Sequence, residues 1–142
     1  MNLATADSHN RPAVTRAYGC RVDTVSNNLT VFVSSMNNQI IFDNIRANGA
    51  IAVVFSRPTT HQTLQFKGTN AEVVAIEVSD LELIRDYRES MVEELQGIGF
   101  PLAFIHSLVP SIEGIDTAIR FTPENAFSQT PGPQAGKKIS HE

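Results

Sequence analysis

The sequence predicts a mainly β domain with flanking helices. Residues 29–33 alternate between two faces as a half-buried strand does, and residues 13–22 place bulky side chains on one face and small ones on the other. Residues 50–55 are apolar almost throughout, which is typical of a strand covered on both faces. We expect the strands to build the core and the helices to lie outside it.

The remaining elements follow from caps and turn residues. Ser35 can cap a helix that Gly49 terminates. The run Ser79-Asp80-Leu81-Glu82 has the pattern of a capping box at the start of a longer helix that ends near Gly97. In chain order we expect strands at 3–6, 13–22, 28–35, 50–55, 64–66, 73–76 and 116–122, and helices at 35–49, 79–97 and 102–108.

Length and composition limit the function classes. A chain of 142 residues suits one domain that buries roughly two thirds of its unfolded surface. With 42% apolar residues and a net charge of -4, the chain is globular and mildly acidic, so we expect neither nucleic acid nor an anionic membrane as a partner. The single cysteine, Cys20, and the lack of any apolar run of about 18 residues predict a soluble, cytoplasmic protein.

The composition changes near the C-terminus. We assign residues 1–126 to the domain and residues 127–142 to a tail, in which Ser128 to Gly136 are too rich in proline and glycine for regular structure. A tail of this kind is mobile by default. If it is ordered, we expect it to dock on a neighbouring subunit or at the edge of a cofactor.

The polar cluster at 34–39 is the strongest candidate site. It lies where a strand meets a helix, so free amides, the helix dipole and hydroxyl or carboxamide side chains together favour an anion such as phosphate. Plain helix capping explains the same residues equally well. The four histidines lack the spacing of metal ligands, so we expect no metal site. No catalytic dyad is visible in the sequence.

The order of these segments resembles the pyridoxamine 5'-phosphate oxidase-like FMN-binding split barrels. The resemblance covers about residues 3–78 and depends on Arg11 to Cys20, the strand at 28–35, the helix ending at Gly49 and the strand at 61–68. It implies a split β-barrel of six or so antiparallel strands. It also implies a homodimer with an FMN pocket at the subunit seam.

The resemblance also implies which residues hold the phosphate. Arg16 falls where the family has a strand arginine, and Ser34 and Ser35 fall at its Ser/Thr-rich strand end. Gln39 stands where the family has a lysine, and Asn37 is also neutral, so the helix start lacks the family's cations. A phosphate there loses a charge-assisted contact.

Other residues are implied at the flavin ring. His61 or Gln62 falls where a polar side chain reaches the pyrimidine edge, and Tyr18 falls where it contacts the ring or fills the core. The implied cofactor contacts are Arg16, Ala17, Tyr18, Ser34, Ser35, Asn37, Gln39, His61, Gln62 and Thr63.

The function implied is that of an FMN-dependent oxidoreductase acting on a small organic acceptor, in which the flavin performs the chemistry. The C-terminal segment 129–136 differs from that of the pyridoxamine phosphate oxidases proper, so vitamin B6 oxidation is not expected. The neutral helix start keeps two alternatives open. The same fold would then hold another planar cofactor, such as haem or a deazaflavin, or no cofactor at all.

Overall fold

Nine strands and three α-helices form the chain in a computed structural model that describes residues 1–140. The strands are β1 Asn2–Ala6, β2 Pro12–Arg16, β3 Cys20–Asp23, β4 Asn28–Val33, β5 Ile51–Ser56, β6 Thr63–Gly68, β7 Glu72–Ala75, β8 Thr117–Phe121 and β9 Asn125–Ser128. The helices are α1 Gln39–Asn48, α2 Asp80–Gly97 and α3 Leu102–Leu108. The mainly β class is confirmed, with nine strands rather than six or so.

The strands form two antiparallel sheets. The larger has the order β2-β1-β5-β6-β9, and the smaller has the order β3-β4-β8-β7. The main core lies between them and includes Leu3 and Val53 from the larger sheet, Val31 and Phe121 from the smaller one, and Ile41 of α1. None of the described helices has the length and apolar character needed to cross a membrane.

The burial of two strands differs from the sequence-based expectation. β4 was expected to be half-buried, yet residues 29–33 are all buried, because Val31 faces the core between the sheets while Phe32 faces the α2 side. β5 was expected to be covered on both faces. Instead, Ile51 and Val53 are buried, whereas Ala52, Val54 and Phe55 are half-buried. The covered central strand is therefore β4.

The expected strand at 13–22 is wrong, because the structure divides it between the two sheets. β2 ends at Arg16, β3 begins at Cys20, and Gly19 between them has a φ of 123°. A Cβ added to Gly19 would lie 3.1 Å from Phe32 and 3.3 Å from the carbonyl oxygen of Leu83. A glycine is needed here both for the backbone conformation and for the close approach of α2.

The helix cap predicted at Ser35 is wrong, whereas the one predicted at Ser79 is in the right position but lacks its side-chain hydrogen bond. α1 begins at Gln39, and Ser35 instead donates from its amide (2.7 Å) and its hydroxyl (2.6 Å) to the carboxylate of Asp116. Ser79 precedes α2 but makes no side-chain hydrogen bond as a cap. The predicted end at Gly49 is confirmed, with a φ of 66° and a hydrogen bond from its amide to the carbonyl of Ile45.

The start of α2 depends on a buried ion pair rather than a capping box. Asp80 is fully buried, and its Oδ1 lies 3.0 Å from Nη1 of Arg21 on β3. Its Oδ2 accepts a hydrogen bond from the amide of Glu77. Because a buried carboxylate is costly without a cation and donors, these contacts fix α2 against the smaller sheet. The predicted end of α2 near Gly97 and the bounds of α3 are confirmed.

The tail folds back on its own chain. The domain boundary drawn after residue 126 falls inside β9, so the strand continues to Ser128 and the tail begins after it. The amide of Ser128 donates to the carbonyl of Lys137, and that of Ile139 donates to Ala126. The tail therefore covers the free edge of β9. Its contact with a partner subunit stays a prediction.

Candidate functional site

A groove of about 510 Å³ lies between the two sheets and α2. Segments distant in sequence form it, because the break at Gly19 separates β3 from β2 and leaves β3 facing the ends of β5 and β6. Its apolar walls include Cys20, Phe55, Leu64, Leu83, Tyr87 and Met91.

One face of α2 forms the long wall of the groove. Leu83, Tyr87, Met91 and Glu94 follow one another at spacings of three or four residues, so their side chains share one side of the helix. At a rise of 1.5 Å per residue, this wall is about 16 Å long. The wall is apolar along most of its length and ends in a carboxylate.

Tyr87 contributes a neutral phenol to this wall. Its hydroxyl oxygen accepts a hydrogen bond from the amino nitrogen of Met1 at 3.0 Å. Burial raises the pKa of Tyr87 to about 12, and the positive charge of Arg16 acts in the opposite direction. Arg16 does not line the groove, but the amide of Ala17 beside it donates to the carbonyl of Met1, so Arg16 lies near the Tyr87 end. Burial also raises the pKa of the Cys20 thiol.

A hydrogen-bonded latch closes the other end of the groove. Glu94 accepts from Nε of Arg57 at 2.8 Å, and its second carboxylate oxygen accepts from the amide and the hydroxyl of Thr59. Hydrogen bonds from Thr59 and Arg57 lower the pKa of Glu94 to about 2. The latch ties the β5–β6 loop to α2.

The predicted ring contacts lie in or beside this loop. Gln62 lines the groove, as predicted for a ring contact, whereas His61 is exposed and has a φ of 58°. Thr63 opens β6, where its amide donates to Thr130 and its hydroxyl donates to the carbonyl of His61. The structure therefore places Gln62, and neither of its two neighbours, in the groove wall.

The remaining predicted residues on β2 and after it have different environments. Arg16 is exposed at the end of β2, and Ala17 is fully buried. Tyr18 is half-buried and packs with the apolar cluster under α2. The amide of Tyr18 donates to the carbonyl of Phe32, so the chain after Arg16 runs beside the end of β4. The structure thus brings this segment next to the strand–helix junction.

Carboxylates satisfy the polar groups of that junction. Ser35 is bonded to Asp116, and the side-chain amide of Gln39 donates to Asp43 at 2.7 Å. Ser34 accepts from the amide of Met36 through its hydroxyl. Asn37 is exposed with a φ of 61°. A phosphate contact at Ser35 or Gln39 stays a prediction, and it would require these two carboxylates to be displaced.

Sequence reasoning missed the main walls of the groove. The sequence places Tyr87 and Met91 only within the helix predicted at 79–97, and Phe55 and Leu64 only within predicted strands. A signal was available in the helix, because Leu83, Tyr87 and Met91 recur every four residues and so share one face. A tyrosine on that face suits a partly open wall, since its hydroxyl needs a polar partner. Within residues 1–140, no cluster of three or more metal-ligating side chains is placed to hold an ion.

Solved structures with a similar fold span most of the chain. HupZ of Group A Streptococcus matches with a TM-score of 0.53 and 20% identity over 95% of this chain and 88% of its own. A pyridoxamine 5'-phosphate oxidase-related, FMN-binding protein from Nostoc punctiforme PCC 73102 gives 0.51 and 17% over 94% and 75%. A Clostridium acetobutylicum protein of the pyridoxinephosphate oxidase family, related to general stress protein 26 of B. subtilis, gives 0.52 and 14% over 99% and 83%.

No protein-family model and no curated protein matches the sequence. The structural likenesses, all at low identity, establish the fold. The chain has the split-barrel fold of the pyridoxamine 5'-phosphate oxidase-related proteins, and the resemblance seen in the sequence is confirmed at that level.

The Glu94 latch predicts a pH-dependent stability. The pKa of Glu94 is about 2 in the folded protein, against an ordinary value of 4.5. Its stabilising effect is therefore fully present above about pH 4.5 and is lost as the pH falls towards about 2. Glu94→Gln should lower the free energy of unfolding near neutral pH, and the deficit should shrink through this window. Urea unfolding across the pH range measures it.

Glu93→Gln is the matched control, since Glu93 is the exposed neighbour on the same helix. It should leave the free energy of unfolding close to that of the wild type at every pH. A Glu94→Gln deficit of the same size near pH 7 and near pH 2.5 would contradict the assignment of the low pKa to the latch.

Proposed function

We propose that this protein is a homodimeric flavoprotein that holds FMN in the groove and acts as an oxidoreductase on a small organic acceptor. The observation that carries the proposal is the groove itself, which has long apolar walls and a few polar groups at its ends. A volume of about 510 Å³ is within the range of small-molecule sites. Flavin supplies the redox chemistry when it is bound, so no acid or base on the protein is required.

The groove suits the ring of a flavin better than the junction suits its phosphate. Phe55, Leu64 and Met91 offer apolar surface for a planar ring, and Gln62 offers a carboxamide that can both donate and accept. Beside the Tyr87 end, Arg16 would supply an exposed guanidinium for the phosphate. Ser34 directly follows β4 at the junction. Its role as a further hydrogen-bond donor to the phosphate stays a prediction.

A second candidate function follows from the charges at the junction. Asp116 accepts both donors of Ser35, and Asp43 accepts the amide of Gln39. These carboxylates oppose a phosphate dianion at the position where the family has cations. The alternative is a protein of the same fold that uses the groove for haem or a deazaflavin, or that holds no cofactor.

The homodimer is supported by the exposed outer strand of the larger sheet. β2 is that outer strand. Val14 on β2 is 67% exposed, on the face of the sheet opposite Thr5, whose hydroxyl accepts a hydrogen bond from Asn44 of α1. An apolar side chain exposed on an edge strand favours a contact between proteins. We propose that Val14 and the free edge of β2 lie in the seam.

Light scattering at micromolar concentration should therefore give the mass of a dimer. Val14→Glu should shift the protein towards monomer, because a carboxylate loses its hydration when it is buried in an apolar contact. Val25→Glu is the control, since Val25 is 93% exposed in the turn after β3. A wild-type protein that is entirely monomeric would end the dimer proposal, and equal dimer fractions in both variants would place the seam elsewhere.

FMN and riboflavin, which lacks the phosphate, separate the two ends of the ligand. If Arg16 holds the phosphate, Arg16→Ala should weaken FMN binding by about 2 kcal/mol, roughly thirtyfold, since charge-assisted hydrogen bonds are worth about twice neutral ones. Riboflavin affinity should stay within about twofold. Gln39→Lys should tighten FMN binding by restoring a cation, and Arg11→Ala, an exposed arginine beside the other end of β2, should change neither ligand. Fluorescence titration of FMN and riboflavin into the wild type and the three variants measures these affinities.

The outcomes separate the candidate functions. A loss in Arg16→Ala that is equal for FMN and riboflavin would show that the phosphate is held elsewhere. Binding of haemin without binding of either flavin would favour the second candidate. A wild-type protein that binds none of the three would leave the groove without a cofactor.

A further inference from the structure

A second cavity adjoins the flavin groove. Its volume is about 850 Å³, and it lies between β3 and the faces of β5 and β6. Cys20, Phe55 and Leu64 line both cavities and form a shared wall. Beyond this wall the surface continues with Val22 and Phe66. A molecule in the second cavity would thus lie next to a molecule in the first. Only the shared side chains, and no β-strand, would separate the two molecules.

The charges around the second cavity exclude an anionic occupant. Among the described residues that line it, Asp23 is the one charged side chain. Its carboxylate accepts hydrogen bonds from Ser26 and Val25, and these bonds lower its pKa, so it stays ionised. Arg21 on the same strand does not line this cavity, and Glu77 holds it at 2.7 Å. No lining cation is therefore available for a phosphate or a carboxylate.

The aromatic residues favour a ring. Phe55 and Phe66 meet edge to face, with ring centroids 5.7 Å apart and an interplanar angle of 83°. Both are half-buried, so part of each ring faces the cavity. Aromatic rings arranged in this way offer faces and edges to a further ring at similar spacing. With Val22 and Leu64, they form a continuous apolar floor.

We infer that the second cavity is the subsite for an uncharged, apolar, ring-containing molecule. The inference rests on the proposed function in one respect, which is that it makes this molecule the substrate of the flavin in the first groove. The size and charge of the cavity define the ligand class independently. The ionised carboxylate of Asp23, with no cation among the described lining residues, disfavours phosphorylated substrates.

Nile red, a neutral aromatic fluorophore, is the probe for this subsite. Val22→Glu should weaken its binding at least tenfold, because Val22 lines the second cavity and a carboxylate there must lose water when the probe binds. Val22 is 65% exposed, so the variant should fold. Val25→Glu, in the adjoining turn, should leave the affinity within about twofold, since Val25 is 93% exposed and lies outside the cavity lining.

Two further variants separate this inference from the proposed function. Met91→Lys changes a residue that lines the first groove and not the second, so it should weaken FMN and leave unchanged the Nile red binding that depends on Val22. Asp23→Asn should strengthen binding of the anionic probe anilinonaphthalene sulfonate without changing Nile red. Nile red binding that depends on Val22 would support the subsite even if FMN failed to bind. Equal Nile red affinity in Val22→Glu and Val25→Glu would overturn the subsite, whatever the FMN result.

Discussion

The break in the chain between β2 and β3 determines where the two sheets separate. Had residues 13–22 continued as one strand, β3 would extend the larger sheet and the groove would have no second wall. Gly19 makes the break possible through its φ of 123° and through the missing Cβ, which lets the backbone of α2 approach at Leu83. α2 is then held in place by the buried pair of Asp80 with Arg21 on β3. The strand break at Gly19, the position of α2 and the ion pair of Asp80 with Arg21 therefore depend on one another.

The electrostatics of the site follow from this arrangement. The groove walls are apolar, with the neutral phenol of Tyr87 towards one end and the paired charges of Arg57 and Glu94 at the other. The strand–helix junction instead carries Asp116, which is bonded to Ser35. Under the proposed function, these apolar walls would provide the affinity for a planar ring, and the exposed guanidinium of Arg16 would orient its phosphate.

Local signals in the sequence predicted most elements but not the site. The alternation in β4, the terminator at Gly49 and the bounds of α3 depend on neighbouring residues, so they could be read directly. The division of residues 13–22 into β2 and β3 could not be predicted, because the alternation of side chains continues while the chain passes from one sheet to the other. The cap at Ser35 failed because the distant carboxylate of Asp116 takes both of its donors, and at Ser79 the buried pair of Asp80 with the distant Arg21 replaces the capping hydrogen bonds. Long-range contacts therefore decided what local patterns could not.

Denaturant unfolding of Gly19→Ala beside Gly99→Ala tests the dependence of this fold on the strand break most directly. Both glycines have a positive φ, but a Cβ at Gly99 meets nothing within 4 Å, whereas one at Gly19 meets Phe32 and the Leu83 carbonyl. Alanine is strained at a positive φ in both variants. The difference between their losses of unfolding free energy therefore reports how closely α2 packs against residue 19. We expect Gly19→Ala to lose about 2 kcal/mol more, the usual cost of overpacking. Equal losses in the two variants would contradict the account.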